Sequence, residues 1–165
     1  MATILAEILP EAAVRHGDRT ALIIGDRKLP FRQLEECAGK IANGLVALGV
    51  KPGDRVSLFG GNSWEWVVAY HGAAKTGAVL NPLSSMLTTD ELRYTVNDAG
   101  ARVVIAGADK FDQLRALKTD GVVDYLVPWG GAGAGDGPTL ETWMAGESAA
   151  FTIRPREAAD LAVIA

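Results

Sequence analysis

The sequence predicts an α/β fold: a largely parallel sheet with helices on both faces. Three observations carry this prediction. Short apolar runs at Arg55–Gly60, Ala78–Leu80, Val103–Ala106 and Asp124–Val127 alternate with segments of helical periodicity. That order is expected of parallel strands joined by right-handed crossovers. Val103-Val104-Ile105-Ala106 has no polar alternation, as when both faces of a strand are covered. Finally, the segment from Trp64 to Thr76 is apolar on nearly every side, and such a helix needs a second layer over it.

Taken in chain order, residues 3–16 read as a helix interrupted near Pro10. Thr20–Ile24 is a short, partly β-branched strand ending in Gly25-Asp26-Arg27-Lys28, a hairpin turn. Phe31, Leu34, Ala38, Ile41, Leu45 and Leu48 recur at spacings of three and four, one apolar stripe on a helix of about five turns. Its other face carries Arg32, Gln33, Glu35, Glu36, Lys40 and Asn43, and Gly49, Pro52 and Gly53 stop it. After strand Arg55–Gly60, Asn62 or Ser63 can cap the helix from Trp64 to Thr76. Gly77 ends that helix, and Ala78-Val79-Leu80 is a strand before a break at Asn81-Pro82.

Thr88-Thr89-Asp90-Glu91 has the spacing of a capping box, in which each side chain satisfies the other residue's free amide. The helix it opens turns Leu92, Val96 and Ala99 inward and ends at Gly100. A helix from about Asp109 to Lys118 leads to strand Asp124–Val127. Gly130 to Pro138 is a loop, Thr139 to Ala145 a short helix, and Asp160–Ala165 the opening of a buried strand. No internal repeat or second domain is evident.

Composition narrows the function classes. With 165 residues, 48% hydrophobic and 22% charged, the chain can bury a real core and is not disordered. A net charge of −4 with scattered basic residues argues against a nucleic-acid partner. The single cysteine, Cys37, excludes an intramolecular disulfide and fits a reducing, cytoplasmic setting. With no histidine near it in sequence, Cys37 reads as an inert small side chain. No basic leader precedes an apolar run, and no apolar stretch reaches the ~18 residues of a membrane span.

The motifs that invite chemistry mostly fail on spacing. No glycines in Gly130–Gly137 satisfy G-x-G-x-x-G, so the stretch reads as a surface loop. Lys75-Thr76 looks like the end of a phosphate loop, but Ala74 and Ala69 stand where glycines are required. His16 sits at a helix end, where an imidazolium suits the dipole. His71 reads as a hydrogen-bonded core histidine, and Trp64 and Trp66 read as core. Two isolated histidines and one cysteine make no usual zinc site. Judged on spacing alone, the chain is a soluble α/β domain without a visible active site.

An ordered series of segments carries more. Gly17–Leu22, Leu29-Pro30-Phe31-Arg32-Gln33-Leu34, Gly49–Val56, Asn62-Ser63, Ala73–Leu83, Asp98–Val104 and Asp160–Ile164 follow one another over most of the chain. Together they resemble the N-terminal signatures of the adenylate-forming (AMP-binding) ligases. Pro30 and Phe31 depart from the Thr or Ser and Tyr usual there, and a proline at a helix start is tolerated. Asn81–Leu87, with Ser84 in place of an aspartate, is more similar to fatty or aromatic acid–CoA ligases than to peptide-synthetase adenylation domains.

The resemblance implies a parent enzyme using ATP, Mg2+ and coenzyme A. A small carboxylic acid attacks the α-phosphate, pyrophosphate leaves, and the coenzyme A thiol then displaces AMP. It further implies that residues 1–165 are a single N-terminal segment ending before the phosphate-binding loop. No catalytic, cofactor-binding or metal residue carries over onto this chain. The segment is expected to be inactive alone, to hold none of these cofactors tightly, and to be able to self-associate through an unpaired edge. A stand-alone, non-catalytic binding module and a small nucleotide-binding α/β protein are the other readings.

Overall fold

The computed structural model describes residues 4–131 and 137–164. Helix α1 (Leu5–His16) is followed by the antiparallel hairpin of β1 (Thr20–Ile24) and β2 (Arg27–Pro30). Then come α2 (Phe31–Ala47), β3 (Arg55–Phe59), α3 (Trp64–Lys75), β4 (Val79–Leu83), α4 (Thr89–Ala99) and β5 (Ala101–Gly107). A 3-10 turn at Ala108–Lys110 leads into α5 (Phe111–Thr119), β6 (Tyr125–Trp129) and α6 (Leu140–Gly146). Strands β3 to β6 form one four-stranded parallel sheet in the order β4-β3-β5-β6.

The alternation of side chains along these strands builds two cores. Val56, Leu58, Leu80, Val103, Ile105 and Val127 face a layer in which α2, α3, α1 and α6 supply Ile41, Leu45, Val68, Ala73, Leu9 and Trp143. Phe59, Leu83, Val104 and Ala106 face the opposite way, onto Leu92 and Val96 of α4 and Leu114 and Leu117 of α5. The strands are apolar on both sides because both sides are covered.

Local signals act as their chemistry dictates. Ser63 Oγ accepts the Trp66 amide at 3.1 Å and starts α3. Thr88 and Glu91 exchange their bonds at the head of α4, and Gly100 ends that helix in the left-handed conformation, φ 62°.

Four expectations are corrected. Helix α1 runs through Pro10 without a break. The proline costs one bond to the Ala6 carbonyl, while Ala6 and Leu9, in the turn before it, stay buried against the core. Strand β4 runs through Asn81-Pro82 instead of stopping there. Successive amides of a strand point to opposite edges: Val79 donates inward to Asp54 O, and Leu80 donates outward to Ala162 O. Pro82 shares the parity of Leu80, so its missing N–H falls on the side where β3 needs no donor.

Among the described residues, the segment from Asp160 makes one parallel bridge, Leu80 to Val163, on the outer edge of β4. Leu161 is 56% and Val163 37% exposed, so it is not a buried strand, and Ala165 lies outside the described residues. Trp64 and Trp66 are half-buried at the rim of the core. Trp64 packs under the Arg27 guanidinium at 4.0 Å, and Trp66 stacks on Tyr70 at 5.4 Å.

Candidate functional site

A doubly wound sheet binds ligands beyond the carboxyl ends of its strands, where neighbouring chains leave for opposite faces. Here that point lies between β3 and β5. The chain after β3 turns into α3 on the first face, and the chain after β5 turns into α5 on the second. Gly60 follows β3, and Gly107 ends β5 in line with Trp129 of β6.

The indole of Trp129 fills the slot above these two glycines. A Cβ on Gly60 would stand 2.6 Å from Trp129 Cζ2, and one on Gly107 would stand 2.6 Å from Asp109 Oδ1 and 3.7 Å from the indole. Trp129 is buried. The place where a small nucleotide-binding protein of this topology would hold its ligand is therefore occupied by the chain's own side chain.

Two clefts lie elsewhere. One, of about 120 Å³, is at the amino end of β4, between the first turn of α1 and residues 156–162. Its arginine, Arg156, is committed to Asp160 at 3.3 Å and to the Leu161 carbonyl at 3.0 Å. The other is an open groove between α1 and α2, beside Pro10, Val14, Arg32 and Glu35. Neither adjoins the carboxyl ends of the strands.

Lys75, the residue that looks like a phosphate-loop lysine, is buried on α3 and pairs with Glu35 of α2, Nζ to Oε1 2.5 Å. The second oxygen, Glu35 Oε2, is buried with no hydrogen-bond partner among the described residues. Thr76 Oγ1 donates to Ala73 O and accepts from the Ala78 amide, closing the turn into β4. Both residues of that motif are spent on the fold. Residues 132–136, the middle of the glycine-rich segment, lie outside the described residues.

The remaining candidates carry little chemistry. Cys37 is half-buried, and burial pushes its thiol upward, away from thiolate reactivity. Burial first, and then the charge of Lys75, hold the His71 imidazole below its ordinary value. Its ring meets Tyr70 edge-on at 5.6 Å, and among the described residues no hydrogen bond holds it, contrary to expectation. It sits on α3 only half-covered, so water can serve it. His16 ends α1 with its ring 5.2 Å from Phe31. Among the described residues, no three His, Cys, Asp or Glu gather as a metal site, and no helix is long and apolar enough to cross a membrane.

Two features were not read from the sequence. Glu35 looked like one more solvent-facing residue of α2, and its partner is 40 positions away. Trp129 ends β6 opposite Gly107 of β5, a juxtaposition that only the sheet order reveals. Among the segments that carry the resemblance, Leu29–Leu34 joins β2 to α2, and Ala73–Leu83 is the end of α3, its turn and β4.

The sequence profile of the AMP-binding enzyme family matches residues 9–164. The chain belongs to this family. It is 32% identical over 138 residues to the long-chain-fatty-acid–CoA ligase FadD13 of Mycobacterium tuberculosis, covering 84% of this chain and 25% of the relative. It is 35% identical over 98 residues to the phosphinothricin tripeptide synthetase PhsC of Streptomyces viridochromogenes, covering 59% of this chain and 9% of that protein. Among solved structures, the N-terminal domain of FACL13 from Mycobacterium tuberculosis superposes with a TM-score of 0.87 at 26% identity, over 99% of this chain and 41% of that one. The chain thus spans about a quarter of the length of the ligase relative it matches. Its parallel sheet and two helical layers are the AMP-binding family's architecture.

Proposed function

We propose that this chain is the N-terminal portion of an ATP-dependent, AMP-forming acid–CoA ligase and is inactive alone. The observation that carries the reading is its likeness, over 99% of its length, to the N-terminal domain of FACL13, together with 32% identity to a fatty-acid–CoA ligase. The parent would join a fatty or aromatic carboxylate to the α-phosphate of ATP with loss of pyrophosphate, and coenzyme A would then displace AMP. A cytoplasmic location suits those substrates.

This portion is not expected to hold ATP, Mg2+ or coenzyme A tightly by itself. The slot between β3 and β5 is filled by Trp129, and Lys75 is neutralised by Glu35. Within the ligase reading, this portion is scaffold, the phosphate-binding loop follows it, and the free outer edge of the segment from Leu161 can pair with another copy when the rest is missing.

An adenylation domain of a peptide synthetase is the second reading, favoured by the identity to PhsC. Reading the coding frame beyond Ala165 tests both. A continuation into a Ser/Thr/Gly-rich loop with a nearby lysine is expected. A stop codon would overturn the ligase reading in favour of a binding module.

A further inference from the structure

The polar face of helix α2, opposite its apolar stripe, holds a distant segment of chain. Between α6 and the bridge at Val163, residues 147–160 cross the molecule as a strap without helix or strand. The strap is held through its backbone. Lys40 Nζ donates to Met144 O at 2.7 Å in the last turn of α6, where the strap begins, and Asn43 Nδ2 donates to Ser148 O at 2.8 Å and Ala150 O at 3.0 Å in the strap itself. Gly39, one turn before Asn43, leaves the notch into which Ala149 is pressed, and a Cβ there would overlap the Ala149 carbonyl. The lysine also places a positive charge at the carboxyl end of α6, where the helix dipole favours it.

Farther along, the Arg154 amide donates to Lys75 O, and the chain arrives beside β4. There the Leu80 amide donates to Ala162 O at 2.8 Å, and the Ile164 amide donates to Leu80 O at 2.9 Å. These bonds cover the outer edge of the sheet, which would otherwise present unpaired amides and carbonyls to other chains.

We propose that Gly39, Lys40 and Asn43 form a clamp for the strap, and that the clamp keeps the edge of β4 covered. The clamp reads carbonyls and not side chains, so it fixes the path of the strap whatever its sequence. Opening it frees the strap as a unit and uncovers the edge while the sheet stays folded. This inference stands apart from the ligase reading.

Adjacent amides of β4 supply the test, because Leu80 reports the cover and Val79, bonded to Asp54 O, reports the sheet. Amide exchange in the 165-residue chain is compared with Lys40→Met/Asn43→Ala and, separately, with Gly39→Ala. The alanine raises the helix propensity of α2 while expelling the strap, so it distinguishes release from a weakened helix. Both variants are expected to exchange Leu80 at least tenfold faster, with Val79 unchanged. Equal acceleration at both amides, or none at Leu80, would overturn the proposal.

Discussion

Replacing Glu35 by glutamine keeps the shape of the side chain and removes the charge beside Lys75. The lysine side chain is 3% exposed and the glutamate 26%, so the ammonium has little water to turn to. Breaking a fully buried pair by removing one partner costs about 3–5 kcal/mol, since the other charge is left without compensation. Two facts lower that figure here. Glu35 reaches solvent in part, and its second oxygen is already buried without a partner, so the pair is imperfectly satisfied before any change. The expected loss for Glu35→Gln is about 2–3 kcal/mol. At 2–4 °C per kcal/mol for a chain of this size, the melting point falls by roughly 5–10 °C. Replacing both partners by apolar side chains, Glu35→Leu with Lys75→Met, should return stability to within about 1 kcal/mol of the starting protein. Urea denaturation of the starting protein, Glu35→Leu, Lys75→Met and the double variant measures the coupling, with Glu35→Gln read beside them. A loss below ~0.5 kcal/mol for Glu35→Gln would refute the reasoning, because that is the worth of a surface pair.

Three further outcomes are expected. Gly44→Ala gains about 1 kcal/mol of helix propensity but drives a Cβ into the Trp143 indole. Overpacking of this kind costs about 1–3 kcal/mol, so a net loss and a changed tryptophan emission should be seen. Because the folded chain holds the His71 pKa below 6.5, the unfolded chain binds the proton first as pH falls. The stability that neutral His71 contributes is complete above about pH 6.5 and is lost as pH drops through the folded value; His71→Gln should flatten that part of the stability curve. The Cys37 thiol, pushed upward by burial, should be alkylated more slowly at neutral pH than in the urea-unfolded chain, and equal rates would contradict the reading of it as inert.

What could be read from the sequence is what neighbouring residues determine. The capping box of Thr88 and Glu91, the Gly100 stop and the stripe of α2 each act within a turn or two of chain, and each lies where expected. Val103 to Ile105 read as doubly covered because both cores press on that strand. The misreadings share a different cause. Pro82 looks like a break until the edge position of β4 is known, since only sheet order says which amides are needed. Lys40 and Asn43 look solvent-facing because a polar stripe cannot tell water from a peptide carbonyl more than 100 positions away. Trp64 and Trp66 looked like core because bulk and apolarity do not say how far another layer extends over them. No site residue was legible in the sequence, and the side chains that looked suggestive serve the fold: Lys75 pairs with Glu35, and Trp129 packs over Gly60 and Gly107.

Acid-dependent ATP–pyrophosphate exchange, measured on the 165-residue chain and on the full product of its reading frame, tests the account most directly. The account predicts exchange with fatty or aromatic acids from the longer product, followed by thioester formation with coenzyme A, and none from the 165 residues alone. Exchange by the short chain in a clean preparation would contradict it, as would a longer product that activates amino acids and leaves those acids untouched.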